Sequence, residues 1–292
     1  MKGTAYLIQA TLISLWWIGL LLNQQFYNAF QFPGIGADAF NSFMLPDLII
    51  IAFLSTIRAY QKRKQLDYII IGGFGFATLY CINASIITGG GLLSTTVMTL
   101  GLSYNLFLIS EKQIFKKSTT NNFIINSLKT IFQIICIWLI TLFVFPALII
   151  NSFEITIVKS FGNTILSITL FTFSSIVGLY SAYVMAKFGE GTPLPLDQTQ
   201  KLVIKGPYKY VRNPMALAGI GQGLSISIFF WSIHILIYTM LGAILWQFVV
   251  KPLEENDMTK RFGKDYINYK KRVKCWIPKL NLTRKNKDTL IT

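Results

Sequence analysis

Residues 215–250 read MALAGIGQGLSISIFFWSIHILIYTMLGAILWQFVV, 36 positions without one Asp, Glu, Lys or Arg. A bilayer core about 30 Å thick takes roughly 20 helical residues, so the stretch is too long for one crossing. It fits two short helices turning near 230–232, a hairpin in the membrane. Outward from it lie six more apolar stretches, near 5–22, 45–60, 68–87, 91–110, 130–150 and 164–186. The expectation is an all-α multi-pass membrane protein with about eight transmembrane helices.

Composition agrees. Hydrophobic residues make up 53% of the 292 and charged residues 13%, against about 25% charged in soluble domains. Mean hydropathy is +0.52. A soluble globular enzyme and a disordered chain are both excluded. The net charge of +15 would point to nucleic acid in a soluble protein, but in a membrane protein Lys and Arg collect in cytoplasmic loops. Lys2, the 58–64 cluster (Arg58, Lys62, Arg63, Lys64), Lys112, Lys116, Lys117, Lys129, then Lys187, Lys201, Lys205, Lys209 and Arg212 all fall on one side. So do the twelve basic residues after Val250; Lys159 alone falls opposite. Eight crossings with both termini cytoplasmic follow, and the charge reports topology rather than a nucleic-acid partner.

Ala37-Asp38-Ala39 resembles a signal-peptide cleavage site but lies too far beyond the first apolar run, which is itself long for such a signal. That run is read as an uncleaved helix. Cys81, Cys136 and Cys275 are widely separated and His234 is the one histidine, which gives neither a disulfide framework nor a metal site. Enrichment in Asn, Lys and Ile points to an AT-rich bacterial genome, and with it to the inner membrane.

The polar, basic stretch 111–129 divides the chain. Before it, 1–110 holds four spans with short loops, a tight turn at Gly89-Gly90-Gly91 and no evident cluster of polar groups in the membrane. After it, 130–292 holds four spans and nearly all the unusual polar sequence, in two segments at 188–219 and 251–280. The 215–250 hairpin would bring these segments together at its cytoplasmic mouth.

The segments carry motifs. Gly206-Pro207-Tyr208-x-Tyr210-Val211-Arg212-Asn213-Pro214-Met215 is followed by Glu254-Glu255, then Phe262-Gly263-x-x-Tyr266-x-x-Tyr269 and Pro278. With Gly191-Thr192-Pro193-x-Pro195 and Leu202-Val203 upstream, the arrangement over roughly 160–280 resembles the isoprenylcysteine carboxyl methyltransferase family and the related phospholipid methyltransferases. The resemblance implies an integral membrane enzyme using S-adenosylmethionine from a cytoplasmic pocket, with a lipophilic small-molecule or lipid substrate entering from the bilayer. By the same resemblance, Gln200, Lys201, Leu202, Val203, Tyr208, Asn213, Pro214, Met215, Ala216 and Glu254 are the expected cofactor-binding residues. Three positions depart from the family pattern. Asn213 stands where eukaryotic members usually have His, Ala216 replaces a usual aromatic, and Val250 replaces a substrate-contacting Arg.

The chemistry is compatible with such a sequence. Methyl transfer is an in-line displacement in which the cofactor carries the reactive group and the protein orients and stabilises. A carboxylate acceptor needs no base, being ionised at neutral pH; an amine does, and Glu255 or Asp257 would be candidates. Arg212 and Glu255 are the candidate catalytic residues. Each has a plainer reading beside the functional one. Glu254 could pair with Lys251 or Lys260 on a solvated helix face, Tyr208 could anchor at the interface, and Arg212 could be a topology charge. Gly219-x-Gly221-x-Gly223 sits within a membrane helix and reads as close helix packing rather than a nucleotide loop. His234 is too far from the mouth to act there. Met258, Phe262, Tyr266, Tyr269 and Val273 share one helical face, which suits an amphipathic helix on anionic lipid, capping the pocket or anchoring the chain. A non-catalytic membrane protein retaining the fold is the alternative reading. A transporter is a weaker one, because it would need polar residues at mid-membrane.

Overall fold

The computed structural model describes residues 2–61, 63–109, 117–156, 160–193 and 197–278. The readings at Lys62, Lys112, Lys116, Lys159 and Pro195, and the basic tail 279–292, lie outside them. The described residues form α1 (Lys2–Leu22), α2 (Gln24–Phe30), α3 (Ala37–Tyr60), α4 (Lys64–Thr88), α5 (Leu92–Ile109), α6 (Phe123–Ser152), α7 (Phe161–Gly189), α8 (Pro214–Phe229), α9 (Ile233–Leu245) and α10 (Lys251–Arg272). They contain no strand, only isolated bridges joining Gln198 to Lys117 and Thr192.

Seven helices are long and apolar enough to cross a membrane: α1, α3, α4, α5, α6, α7 and the continuous run Ile233–Arg272. The eighth expected crossing is α8. Its 16 residues rise about 24 Å, short of a core of about 30 Å. Pro214 opens it at the first turn and the chain reverses at 230–232, where Trp231 takes φ +47°. The hairpin expected there is present.

Ile233–Arg272 spans 40 residues, about 60 Å of helix and twice a bilayer core. Its apolar part ends at Val250, and everything from Lys251 is polar or amphipathic. The amphipathic helix read over Met258–Val273 differs in two ways. Gly263 breaks it with φ +52° and ψ −126°, and Tyr266 and Tyr269 are 4% exposed, packed inward on the protein rather than presented to lipid.

Three π-helical turns interrupt the long helices, at Asp47–Phe53, Leu139–Val144 and Trp246–Val250. Each widened turn places a side chain beside a cavity, as such turns often do near functional sites.

The amino-terminal helices are more polar inside than their sequence suggests. Along α1, Tyr6, Gln9 and Trp17 meet partners that run backwards along α3. Gln9 Nε2 donates to Ser55 Oγ at 2.7 Å and Trp17 Nε1 to Asp47 Oδ2 at 3.1 Å, and Arg58 lies over the Tyr6 ring at 5.3 Å. Tyr6 Oη and the Arg58 guanidinium both bind Asp67 of α4, and Asn105 of α5 donates to Gln9 Oε1 at 2.7 Å. This corrects the reading that residues 1–110 hold no polar cluster. Tyr6, Gln9, Ser55 and Asn105 stand among apolar residues, and only the packing of α1 against α3 and α5 brings them together; Arg58 and Asp67 pair across the short polar turn between α3 and α4.

The two halves share one apolar core. Val249 and Leu253, either side of the step from the π turn into α10, are buried with α1, α3 and α4 residues. At the opposite end Phe153 stacks on His234 at 4.2 Å. His234 lies 20 residues from Glu254, about 30 Å along the helix, so it stays outside the site chemistry.

Candidate functional site

The loop from α7 to α8 is folded onto the end of α7 before the site begins. Gln200 and Lys201 amides both donate to the Gly189 carbonyl, at 2.7 and 3.0 Å. Val203 then buries against Val184 and Tyr208. A 3₁₀ turn over Gly206–Lys209 follows. Gly206 has φ +57°, and a Cβ there would lie 2.9 Å from a Val184 methyl; the turn thus requires glycine both for its backbone and for its packing. Pro214 sits at the start of α8 and fixes where Asn213 projects.

Two segments distant in sequence meet here. Asn213 Nδ2 donates to Glu254 Oε2 at 3.2 Å. Arg212 Nη2 pairs with Glu255 Oε1 at 3.0 Å, with side chains 9% and 14% exposed, and Lys270 Nζ takes the other Glu255 oxygen. Tyr269 Oη donates to the Tyr208 carbonyl at 2.6 Å, and the Arg212 amide donates to the Lys274 carbonyl at 3.0 Å. The chain after Gly263 thus folds back over the Tyr208–Asn213 loop as a cover.

Several buried donors end in this space without a protein partner: Tyr208 Oη, Arg212 Nε and Arg212 Nη1. Unpaired buried polar atoms are costly; Tyr208 lies beside Glu254, and Arg212 is held by the neighbouring Glu255. Burial pushes the Glu254 carboxyl up to about 7; the Asn213 hydrogen bond opposes the shift, and Glu255 and Asp257 add to it. Burial, with Tyr269 and Glu254 beside it, raises the Tyr208 phenol as well. A carboxylate that titrates near neutrality beside unpaired donors is a site poised for a polar, partly cationic ligand.

Met215 and Ala216 line an apolar cleft of about 360 Å³ between α6, α7, α8 and α9. Its walls include Trp138, Gly178, Gly219, Ile226, Tyr238 and Trp246. The glycine row sorts by environment. A Cβ on Gly221 would meet Ser174 Oγ at 2.3 Å and one on Gly223 would meet Thr239 at 2.7 Å, while one on Gly219 would meet nothing within 4 Å. Gly221 and Gly223 allow the close packing expected; Gly219 opens the cleft.

Of the residues expected at the cofactor site, the structure brings together Val203, Tyr208, Asn213, Pro214 and Glu254, with Met215 and Ala216 at the adjoining cleft. The side chains of Gln200 and Lys201 are engaged elsewhere. Gln200 Nε2 donates to the Ser118 carbonyl at 3.0 Å and to Asn121, and Lys201 pairs with Glu190. Leu202 is half-buried. The plainer reading of Glu254 does not describe it: Lys251 Nζ donates to Gln247 Oε1 at 3.1 Å, and the Glu254 side chain turns to Asn213.

Sequence reading missed Arg261. It binds Asp257 Oδ2 and the Thr199 carbonyl, both at 2.6 Å, and so fastens α10 to the loop. The Asp257–Arg261 spacing of one helical turn was the available cue. Trp276, whose Nε1 donates to Gln247 Oε1 at 2.7 Å and whose ring meets Trp246 edge-on, was also missed.

Residues 163–265 match the family model described as phospholipid methyltransferase. The match runs from α7 through most of α10 and contains every residue of the Asn213–Glu254 junction. It is the family arrangement that the sequence motifs resemble, and it covers 103 of the 292 residues. No curated protein and no solved structure matches the chain.

Proposed function

We propose that the chain is an S-adenosylmethionine-dependent methyltransferase of the cytoplasmic membrane that methylates a lipid. The acceptor is a phospholipid headgroup or the carboxylate of a lipid-linked compound. One observation carries the reading: Asn213, hydrogen-bonded to Glu254, is followed within three residues by Met215 and Ala216, which line the apolar cleft, all inside the segment that matches the methyltransferase family. In this reading the polar junction holds a nucleoside-like cofactor and the neighbouring apolar cleft holds a hydrocarbon chain.

When bound, S-adenosylmethionine supplies a methyl group activated by its positive sulfonium. The chain's own residues do the rest. Glu254, held by Asn213, accepts hydrogen bonds from the cofactor's hydroxyl or amino groups. Arg212 offers two free N–H donors to an anionic group, the cofactor's carboxylate or a lipid phosphate. Tyr208 and the Tyr266–Tyr269 cover exclude water, which strengthens these contacts. Glu255 is fixed between Arg212 and Lys270 and Asp257 is tied to Arg261, so Glu255 acts as the counter-ion that orients Arg212 rather than as a base. The cleft, apolar along its length, takes one hydrocarbon chain and leaves the headgroup at the mouth. Gln200 and Lys201 contribute through their backbone, which sets the loop.

In this reading both termini lie on the cytoplasmic side with the pocket, residues 130–292 form the catalytic unit, and residues 1–110 brace it through Val249 and Leu253. Titrating the purified protein with S-adenosylmethionine in a calorimeter tests the reading. Saturable one-site binding is expected; a well-folded protein that takes up no cofactor would reject it.

A further inference from the structure

A second cavity lies in the amino-terminal bundle, away from the Glu254 site. It is water-sized, about 30 Å³, and Asp47 opens into it. Six aromatic rings make most of the remaining wall: Trp16, Trp17, Phe32, Phe40, Phe43 and Tyr80. Neighbouring rings touch, Trp16 on Trp17 with centroids 5.1 Å apart, Trp17 on Phe40 at 6.0 Å and Phe43 on Tyr80 at 4.4 Å.

Asp47 is 4% exposed, and its one side-chain hydrogen bond comes from Trp17 Nε1. Its other carboxylate oxygen receives no donor from any described residue, and no Lys, Arg or His side chain among them lines the cavity. Arg58, on the same helix, is committed to Asp67 and lies 11 residues away, about 16 Å. An acid buried among helices without a counter-ion marks a functional site by default, and rings around it stabilise a cation through their faces. Trp16, on the same wall, has its Nε1 buried without a partner.

From this geometry we infer that the Asp47 cavity binds a primary ammonium group. The alternatives fail on chemistry already in view. A metal cation wants a shell of oxygens, and beside the carboxylate the wall offers little beyond the Ser94 and Tyr80 hydroxyls, with Ser94 already donating to the Phe30 carbonyl. A trimethylammonium group suits an aromatic cage but is several times larger than a water-sized space. An –NH₃⁺ head fits the volume, the single carboxylate and the rings together. Its source is either a soluble amine or the headgroup of an aminophospholipid. The inference does not rest on the methyltransferase reading.

The test uses the full chain in detergent, following thermal unfolding and tryptophan fluorescence while ethanolamine, choline or sodium is added. Ethanolamine is expected to raise the unfolding temperature and change the fluorescence at concentrations where choline and sodium do neither. Asp47→Asn should weaken that response by at least about tenfold, as loss of a buried charged partner does. Should Asp47→Asn fail to fold, Tyr80→Leu at a half-exposed position carries the same test, with a weaker ethanolamine response expected. Reconstitution then separates the sources. Stabilisation in phosphatidylethanolamine over phosphatidylcholine discs, lost with Asp47→Asn, identifies the lipid headgroup; a response to free ethanolamine alone identifies a soluble amine. No ethanolamine response by wild type, or an undiminished one in the variants, overturns the site.

Discussion

Asn213 Nδ2 reaches Glu254 Oε2 across 3.2 Å, joining residues 41 positions apart in sequence at the open end of the α8–α9 hairpin. The Arg212–Glu255 pair beside it makes the same crossing one residue back on one strand of the connection and one residue on along the other. Two adjacent cross-links of this kind fix the register of the loop against α10. They also leave Glu254, rather than Glu255, free to meet a ligand on its remaining oxygen.

Glu254→Gln is expected to weaken S-adenosylmethionine binding by about tenfold or more, the effect of removing a charged hydrogen-bond acceptor. It should not lower stability. The wild-type carboxyl has a folded-state value near 7 against 4.5 normally, so above neutrality the buried charge costs stability that Gln does not. Calorimetry with a melting curve on the same sample checks both; wild-type affinity in the variant would show that Glu254 is not in the pocket.

Cofactor affinity should depend on pH through the same group. Its carboxyl is raised to about 7, so it is largely protonated at about pH 6 and ionised at about pH 8. The ionised form accepts the cofactor's donors, so affinity is expected to rise with pH through neutrality. In Glu254→Gln the profile should be flat over that range. Equal slopes in the two proteins would assign the dependence to another group.

The hairpin, the all-helical class and the meeting of the two polar segments were legible because they rest on local signals: a charge-free run twice the length of a crossing, and motifs either side of it. The Asp67–Arg58–Tyr6 and Gln9–Ser55–Asn105 contacts were not. A single Gln or Asn in an apolar run looks the same whether it faces lipid, a neighbour or nothing, and only helix rotation decides. The same reason hid the role of Gln200. Its place beside the motif is local, but its side chain turns to Ser118 and Asn121, more than 75 residues away. Tyr266 and Tyr269 were read as one stripe with Phe262, because the break at Gly263 leaves the helical spacing of the letters untouched.

Within the glycine row, Gly219→Leu should act on the lipid and Gly223→Leu on the fold. Gly219 faces open cleft, so its side chain would occupy the slot, raising the KM for the lipid acceptor or abolishing turnover while cofactor binding persists. Gly223 faces Thr239, and overpacking there should cost about 1–3 kcal/mol. Thermal melts and cofactor titrations of the two variants separate these effects; wild-type lipid turnover by a folded Gly219→Leu protein would show that the chain binds elsewhere.

Tyr269→Phe removes one hydroxyl and leaves the Tyr208 carbonyl unpaired. A loss of about 1–3 kcal/mol is expected, the range for an orphaned buried acceptor. Because the bond holds the cover onto the loop, proteolytic cutting after Gly263 should also become faster. Unchanged cleavage and stability would mean that the cover is held by its other contacts.

The most direct measurement is transfer of label. The purified protein is incubated with methyl-labelled S-adenosylmethionine and a total lipid extract, and the lipids are then separated. Label is expected in a discrete lipid band, dependent on Glu254 and blocked by Gly219→Leu; release of the label by mild base would identify an ester and its retention an amine. Protein that is folded and binds the cofactor, yet leaves every lipid unlabelled, would contradict the assignment of a lipid as the methyl acceptor.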